Sequence, residues 1–309
     1  MGKSNKLIIQ VCLCGAGTKK SQAPTVPYTP EEISDQIVSC AKLGASIAHI
    51  HVREDKEVNG KMEIGYKSMS LQKFTETVEL TREKCAKEGL DIIINLTTSG
   101  GEYEDHKRLQ HLGALKPEMC SFDPNTLNWG NSYIFENSPR MLNKLSQEVI
   151  KHDIKPEFEV FDTGHIDSAM YYVNKHGIPG NPHIQFVLGV GGSMQGTTEN
   201  LAFLVNKLPA GATWSVTGIG KCHVPMMLAA LSLGCDGLRV GLEDNVMYGK
   251  DAEGNKIIAT NEMLVQRAVD LAKLAGREIA TAQEAREIMG ITRNCLRDEV
   301  TGPVTYTEE

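Results

Sequence analysis

His49 and His51 stand two apart in the run Ala48-His49-Ile50-His51-Val52-Arg53. Side chains of an extended strand alternate, so both imidazoles project to the same side and can reach one cation. The competing reading is a pair of strand histidines satisfied by backbone or water, and the spacing alone leaves both open. A third ligand has to come from another part of the chain. The segment Arg239-Val240-Gly241-Leu242-Glu243-Asp244-Asn245 offers adjacent carboxylates beside a guanidinium. Two histidines and one carboxylate leave coordination positions for substrate, which is how catalytic zinc sites are built. Without the histidines, the same segment reads equally well as a surface ion pair that caps the next element.

Other segments carry polar groups suited to anionic oxygens. Asn95-Leu96-Thr97-Thr98-Ser99-Gly100-Gly101 and Cys120-Ser121-Phe122-Asp123 supply hydroxyls and glycine amides, which serve oxyanion binding or ordinary loop capping. Gly189-Val190-Gly191-Gly192-Ser193-Met194-Gln195-Gly196 and Thr217-Gly218-Ile219-Gly220-Lys221 are glycine-rich, as phosphate loops and tight turns both are. Met194 occupies the last glycine's place in a GxGxxG pattern, so the first of them is not a dinucleotide fingerprint. His165 and His223 fall on loops where ligand contact is feasible. His183 begins a strand, and His106, His111, His152 and His176 read as helix-surface or loop residues.

Short β-branched runs alternate with helix-length amphipathic segments, the pattern of a parallel sheet covered by helices. Strands are expected at 7–13, 46–52, 91–96, 118–122, 157–161, 183–188, 213–216 and 237–240, eight in all. Helices are expected at 30–43, 71–87, 103–112, 138–151, 167–176, 199–208, 224–233, 262–275 and 284–289. Thr29-Pro30-Glu31-Glu32 and Thr281-Ala282-Gln283-Glu284 both have capping-box spacing. Residues 55–67 and 248–255 read as barrel loops, the latter with a hairpin turn around Gly254-Asn255. The expected fold is an α/β (β/α)8 TIM barrel, one domain over residues 1–309. A doubly wound sheet uses the same units, but Cys14-Gly15-Ala16-Gly17-Thr18 lacks the third glycine of a dinucleotide turn. In a barrel the chemistry gathers at the C-terminal ends of the strands, where the segments above fall.

Composition narrows the function classes. With 309 residues and 41% hydrophobic content the chain can bury a large core, and no apolar run reaches membrane-spanning length. The net charge of −7 is spread along the chain without a basic block, which argues against nucleic acid as partner. Eight cysteines lack CxxC spacing, so reduced thiols in a cytoplasm are expected. The N-terminal residues 1–6 show neither a leader cleavage site nor a myristoylation motif, Lys6 standing where that motif wants Ser or Thr.

The segments His49-Ile50-His51-Val52-Arg53-Glu54, Leu115-Lys116-Pro117-Glu118-Met119, Thr126-Leu127-Asn128-Trp129-Gly130, His183-Ile184-Gln185-Phe186-Val187-Leu188-Gly189-Val190 and Gly241-Leu242-Glu243-Asp244-Asn245 resemble the β-keto acid cleavage enzymes. The best-known member of that family cleaves 3-keto-5-aminohexanoate in lysine fermentation. The resemblance implies a zinc-dependent β/α barrel, typically a homotetramer, that condenses a β-keto acid with acetyl-CoA to yield acetoacetate and a new acyl-CoA. Carried over by position, it implies Zn2+ ligands at His49, His51 and Glu243, a catalytic base at Asp244 with Arg239 as its partner, and substrate contacts at Thr97, Gly100 and Ser121. On that reading the glycine loops could receive CoA phosphates.

The chain departs from the family pattern at three positions. Gly17, followed by Thr18, Lys19 and Lys20, replaces an acidic residue that would pair with the substrate's ammonium group. Thr97 stands where serine is usual, and Asp123 where an amide is expected. These changes leave the shared reaction intact and argue against a cationic β-keto acid as preferred substrate. Two rivals remain at this stage. An amidohydrolase-type metallohydrolase also uses HxH but needs histidines on strands five and six and an aspartate on strand eight; a noncatalytic ligand-binding barrel needs none of these. Arg140, Tyr171 and Trp129 are suited to face substrate or a neighbouring subunit.

Overall fold

The structure is a computed structural model and describes residues 5–295. Residues 1–4, on which most of the leader and acylation reading falls, and residues 296–309 lie outside the described residues. Eight strands form the barrel: β1 (Lys6–Cys12), β2 (Ile47–Ile50), β3 (Ile93–Leu96), β4 (Met119–Phe122), β5 (Lys155–Val160), β6 (His183–Leu188), β7 (Thr213–Gly218) and β8 (Gly237–Val240). Each pairs in parallel with the next, and β8 pairs back onto β1, which closes the sheet. The crossovers carry α1 (Pro30–Leu43), α2 (Leu71–Glu88), α3 (Asp105–Leu115), α4 (Pro139–Lys151), α5 (Thr163–His176), α6 (Thr198–Val205), α7 (His223–Ser232) and α8 (Asn261–Leu274). A last helix, α9 (Ala282–Met289), follows a two-residue strand, Glu278–Ile279, that adds to the start of β1.

Local chemistry explains the helix starts. Thr29 accepts a hydrogen bond from the Glu32 amide at 3.1 Å, and Glu32 accepts one from the Thr29 amide at 3.2 Å, with Pro30 in the first turn. Thr281 and Glu284 repeat this box at α9. That helix closes the lower end of the barrel, where Ala282, Ala285 and Met289 pack on the inward residues Ile8, Ile47, Ile93 and Met119. Arg286 fixes it there through Glu118 at 2.7 Å and Asp91.

Above that apolar plug the lumen is polar. Gln10 on β1 and Asn95 on β3 both donate to Glu157 on β5, and Arg239 on β8 donates to Glu159 on β5. β5 is a sheet neighbour of none of the three strands that bond to it, so the bonds cross the barrel interior. Phe158 and Val160, which alternate with the two glutamates, pack in the main apolar cluster with the surrounding helices.

Several expected boundaries move. The second strand stops at Ile50, because the chain turns out of the barrel at His51 into an antiparallel hairpin, Val52–Val58 with Lys61–Ser68. Residues 55–67 are therefore mostly strand and not loop. Asn59 and Gly60 at its tip have φ of 51° and 74°, the paired positive values of a two-residue hairpin turn. A second hairpin that sequence reading leaves out, Leu127–Trp129 with Tyr133–Phe135, turns through Gly130 and Asn131. The hairpin around Gly254 is present as Met247–Lys250 with Lys256–Ile258. Helix α5 begins at Thr163, earlier than its apolar spacing indicates, and His165 lies buried in its first turn.

Candidate active site

The three residues expected to share an ion converge. His49 lies in β2, His51 just past its end, and Glu243 three residues past β8. Nε2 of His51 is 3.5 Å from Oε1 of Glu243, and Nε2 of His49 is 3.9 Å from Oε2. Gly15 permits that approach: at φ 55°, a Cβ there would stand 2.5 Å from Cγ of Glu243. Burial is the largest influence on His49 and pushes its pKa down to about 3, which leaves a neutral ring with a free lone pair. Burial alone would raise the Glu243 pKa, but His51, Arg239 and His49 together outweigh it and hold the carboxyl well below its ordinary value. One donor atom from each of the three residues falls within 4.8 Å of the others, and Oε2 of Glu243 is buried without a hydrogen-bond partner. Two imidazoles, a carboxylate and an orphaned oxygen fit a divalent cation.

Arg239 organises the acids around this group. Its guanidinium donates to Glu243 at 2.7 Å, to Glu159 at 3.0 Å and to both oxygens of Asp244 at 3.0 Å. Thr217 adds a hydrogen bond to Asp244 at 3.1 Å. This is a buried network and not a surface ion pair. Burial pushes the Asp244 pKa up and prevails over the lowering effect of Arg239. Glu157 and Glu159 are raised for the same first reason. With His49 they also meet ligand spacing, but both already accept hydrogen bonds, from Gln10 and Asn95 and from Arg239 respectively.

A cavity of about 810 Å³ opens above the site, with His51, Glu159 and Glu243 on its floor. Its walls come from the loop after β1, including Gly17 to Lys20, from the Lys61–Ser68 strand and from Ser99 to Tyr103. Arg53 ties these walls together by donating to the carbonyls of Cys14, Thr18 and Gly65. Gly100 lines the cavity, whereas the Thr97 hydroxyl accepts from the Ser99 amide and the Ser121 hydroxyl from the Thr98 amide. Trp129 also lines it. Arg140 pairs with Asp105 on an exposed face, and Tyr171 is exposed on α5.

Other expectations change. Gly191 and Gly192 are packed under the 127–135 hairpin, since a Cβ on Gly192 would meet the Asn128 carbonyl at 2.0 Å. Gly189 and Gly196 face Cys222 in the same close fashion, so close packing accounts for these glycines in the loop. His111 is buried inside α3's inner face, 2.9 Å from the Thr97 carbonyl and stacked on Phe74, and is not on the helix surface. His165 takes the Phe161 amide, and His223 contacts Asn245; neither lines the cavity. Glu157 and Glu159 escape a reading based on strand ends, although Glu157-Phe158-Glu159 carries their signal: acids at alternate positions share one face of a strand.

Fold and site define a β/α-barrel enzyme with a histidine, histidine and carboxylate cluster at the C-terminal mouth of the strands. Residues 6–291 match the family model described as beta-keto acid cleavage enzyme, and the chain belongs to that family. It is 39% identical over 289 residues to a 3-keto-5-aminohexanoate cleavage enzyme of Fusobacterium nucleatum, covering 93% of this chain and 99% of that one. A 3-oxoadipate:acetyl-CoA acetyltransferase of Cupriavidus necator is 32% identical over 92% of this chain and 94% of its own. Among solved structures, the ternary complex of ObcA with a C4-CoA adduct and oxalate superposes with a TM-score of 0.71 at 20% identity, covering 86% of this chain and 68% of that one. That likeness bears on the fold alone.

Proposed function

We propose that this enzyme condenses a β-keto acid with acetyl-CoA and releases acetoacetate and a new acyl-CoA. The observation that carries this reading is the meeting of His49, His51 and Glu243 around an unpartnered carboxylate oxygen, in a chain of this family. These three residues would hold a divalent cation, zinc by its affinity for imidazole and carboxylate, and such an ion would supply Lewis acidity for the acidification of the substrate. The remaining steps belong to the chain's own groups.

Asp244 takes the proton from the carbon between the two carbonyl groups. A carboxyl raised by burial, with both oxygens fixed by Arg239, is a stronger and better aimed base than an exposed one. The carbanion forms a bond to the thioester carbon of acetyl-CoA and the CoA thiolate leaves. That thiolate then attacks the original keto carbon, the bond between it and the former nucleophilic carbon breaks, and Asp244 returns the proton to acetoacetate. Arg239 balances the negative charge that develops beside it. Gly100 offers a cavity wall without a side chain, and the Thr97 and Ser121 hydroxyls hold the loop that carries it by accepting from the Ser99 and Thr98 amides.

The same reading extends to a cytoplasmic homotetramer. Eight free, buried cysteines agree with a reducing compartment, and exposed Phe203 and Leu228 agree with an assembly. Gly17 leaves open space at the cavity wall beside Lys19 and Lys20, which disfavours an ammonium-bearing substrate. The amidohydrolase alternative loses support because β5 presents glutamates where it needs histidine, and His183 sits at the closed end of β6. A panel of β-keto acids with acetyl-CoA tests the proposal. Acetoacetate and a matching acyl-CoA should appear in equal amounts, with neutral or anionic substrates ahead of the 5-amino compound; hydrolysis without acetyl-CoA would overturn it.

A further inference from the structure

Asp123 follows β4 at the mouth of the barrel and lines the cavity beside the residues just described. Only 2% of it is exposed, and Oδ1 is buried with no hydrogen-bond partner. Oδ2 has a single long contact, 3.5 Å from the Ser99 hydroxyl. Among the described residues no cation is ion-paired with Asp123, although two guanidiniums are near. Arg108 spends its donors on the Thr98 and Glu136 carbonyls and on Asn137, and Arg239 spends its own on Glu159, Glu243 and Asp244. A buried carboxylate with neither an ion pair nor a second hydrogen bond is costly, and the usual resolution is to keep its proton.

We infer that Asp123 works as an uncharged carboxylic acid whose Oδ1 hydroxyl donates a hydrogen bond to an oxygen of the bound β-keto acid. The inference rests on the function proposed above and adds a substrate-contacting residue to it. The lone oxygen then gains the partner it lacks, and an anionic substrate is spared a second negative charge at the cavity wall. Burial is the dominant cause that pushes its pKa up to about 7, with Arg108, Arg239 and the Ser99 hydroxyl opposing and Glu243 assisting. Glu159 is the other acid facing it.

The test is kcat/KM for acetoacetate formation between pH 6 and 9. In the wild type it should fall about tenfold per pH unit above about 7, as Asp123 ionises and its donor is lost. Asp123→Asn retains a donor that does not titrate and should abolish this alkaline limb. Asp123→Leu should lower kcat/KM at least tenfold at pH 6 with KM carrying most of the change. Calorimetric affinity for acetoacetate without acetyl-CoA should weaken in parallel from pH 6 to pH 8. An unchanged alkaline limb in Asp123→Asn, or Asp123→Leu with wild-type KM, overturns the inference while leaving the parent reaction standing. Absence of acetyl-CoA-dependent turnover in the wild type at pH 6 instead overturns the parent reaction, and pH-independent acetoacetate affinity would then overturn the role of Asp123 as well.

Discussion

Asp244 and Glu243 are neighbours in the chain, and the proposed mechanism gives them different work because their surroundings differ. Glu243 has two imidazoles and a guanidinium against it and stays ionised, whereas burial raises Asp244 toward the range of a useful base. Asp244→Asn keeps the shape and removes the proposed base, so kcat should fall by roughly 10²–10⁴ with metal content unchanged. Equal losses of rate and metal would place Asp244 among the ligands instead. Gly15→Ala probes the approach of Glu243 without touching a ligand. A methyl at φ 55° and 2.5 Å from Glu243 must displace that side chain, so metal affinity should drop while the fold persists. Wild-type metal affinity in this variant would show that the close approach is incidental.

At the scale of elements, the barrel strands and most helices were legible because their apolar periodicity and caps are local. Thr29→Ala should cost about 1 kcal/mol of stability in chemical denaturation, the usual value of a lost N-cap, and no change would mean that α1 is held by packing alone. The hairpin over the cavity was legible only at its tip. Asn59-Gly60 is a strong turn signal, but Lys56, Glu57, Lys61 and Glu63 beside it are polar on both faces, so no alternation marks the strands. The 127–135 hairpin is too short to show a period, and its role emerges only once Gly192 is seen beneath it. His49, His51 and Glu243 could be proposed from spacing and resemblance. Glu159, Arg53 and the state of Asp123 depend on which residues face each other across the lumen or cavity, and that requires the closed barrel.

Across the whole molecule, buried neutral histidines couple stability to pH. His111 is far in sequence from His49, His51 and Glu243, and burial pushes its pKa down to about 4, against an ordinary value near 6.5. Between these values the unfolded chain holds the proton and the folded chain does not. Its contribution is therefore complete above about pH 6.5 and lost as pH falls to about 4, on the order of 3 kcal/mol in total. Urea midpoints from pH 7 to pH 4 should show a shallower acid slope in His111→Phe than in the wild type, and parallel slopes would contradict this assignment. The polar lumen and the α9 plug beneath it give the same barrel a rigid base and a reactive mouth. Metal titration into chelated protein tests that division most directly. Acetoacetate production should return linearly and level off at one zinc ion per chain, and Glu243→Ala should bind zinc weakly and recover no activity; full turnover by metal-free protein, or normal recovery in Glu243→Ala, would contradict the account.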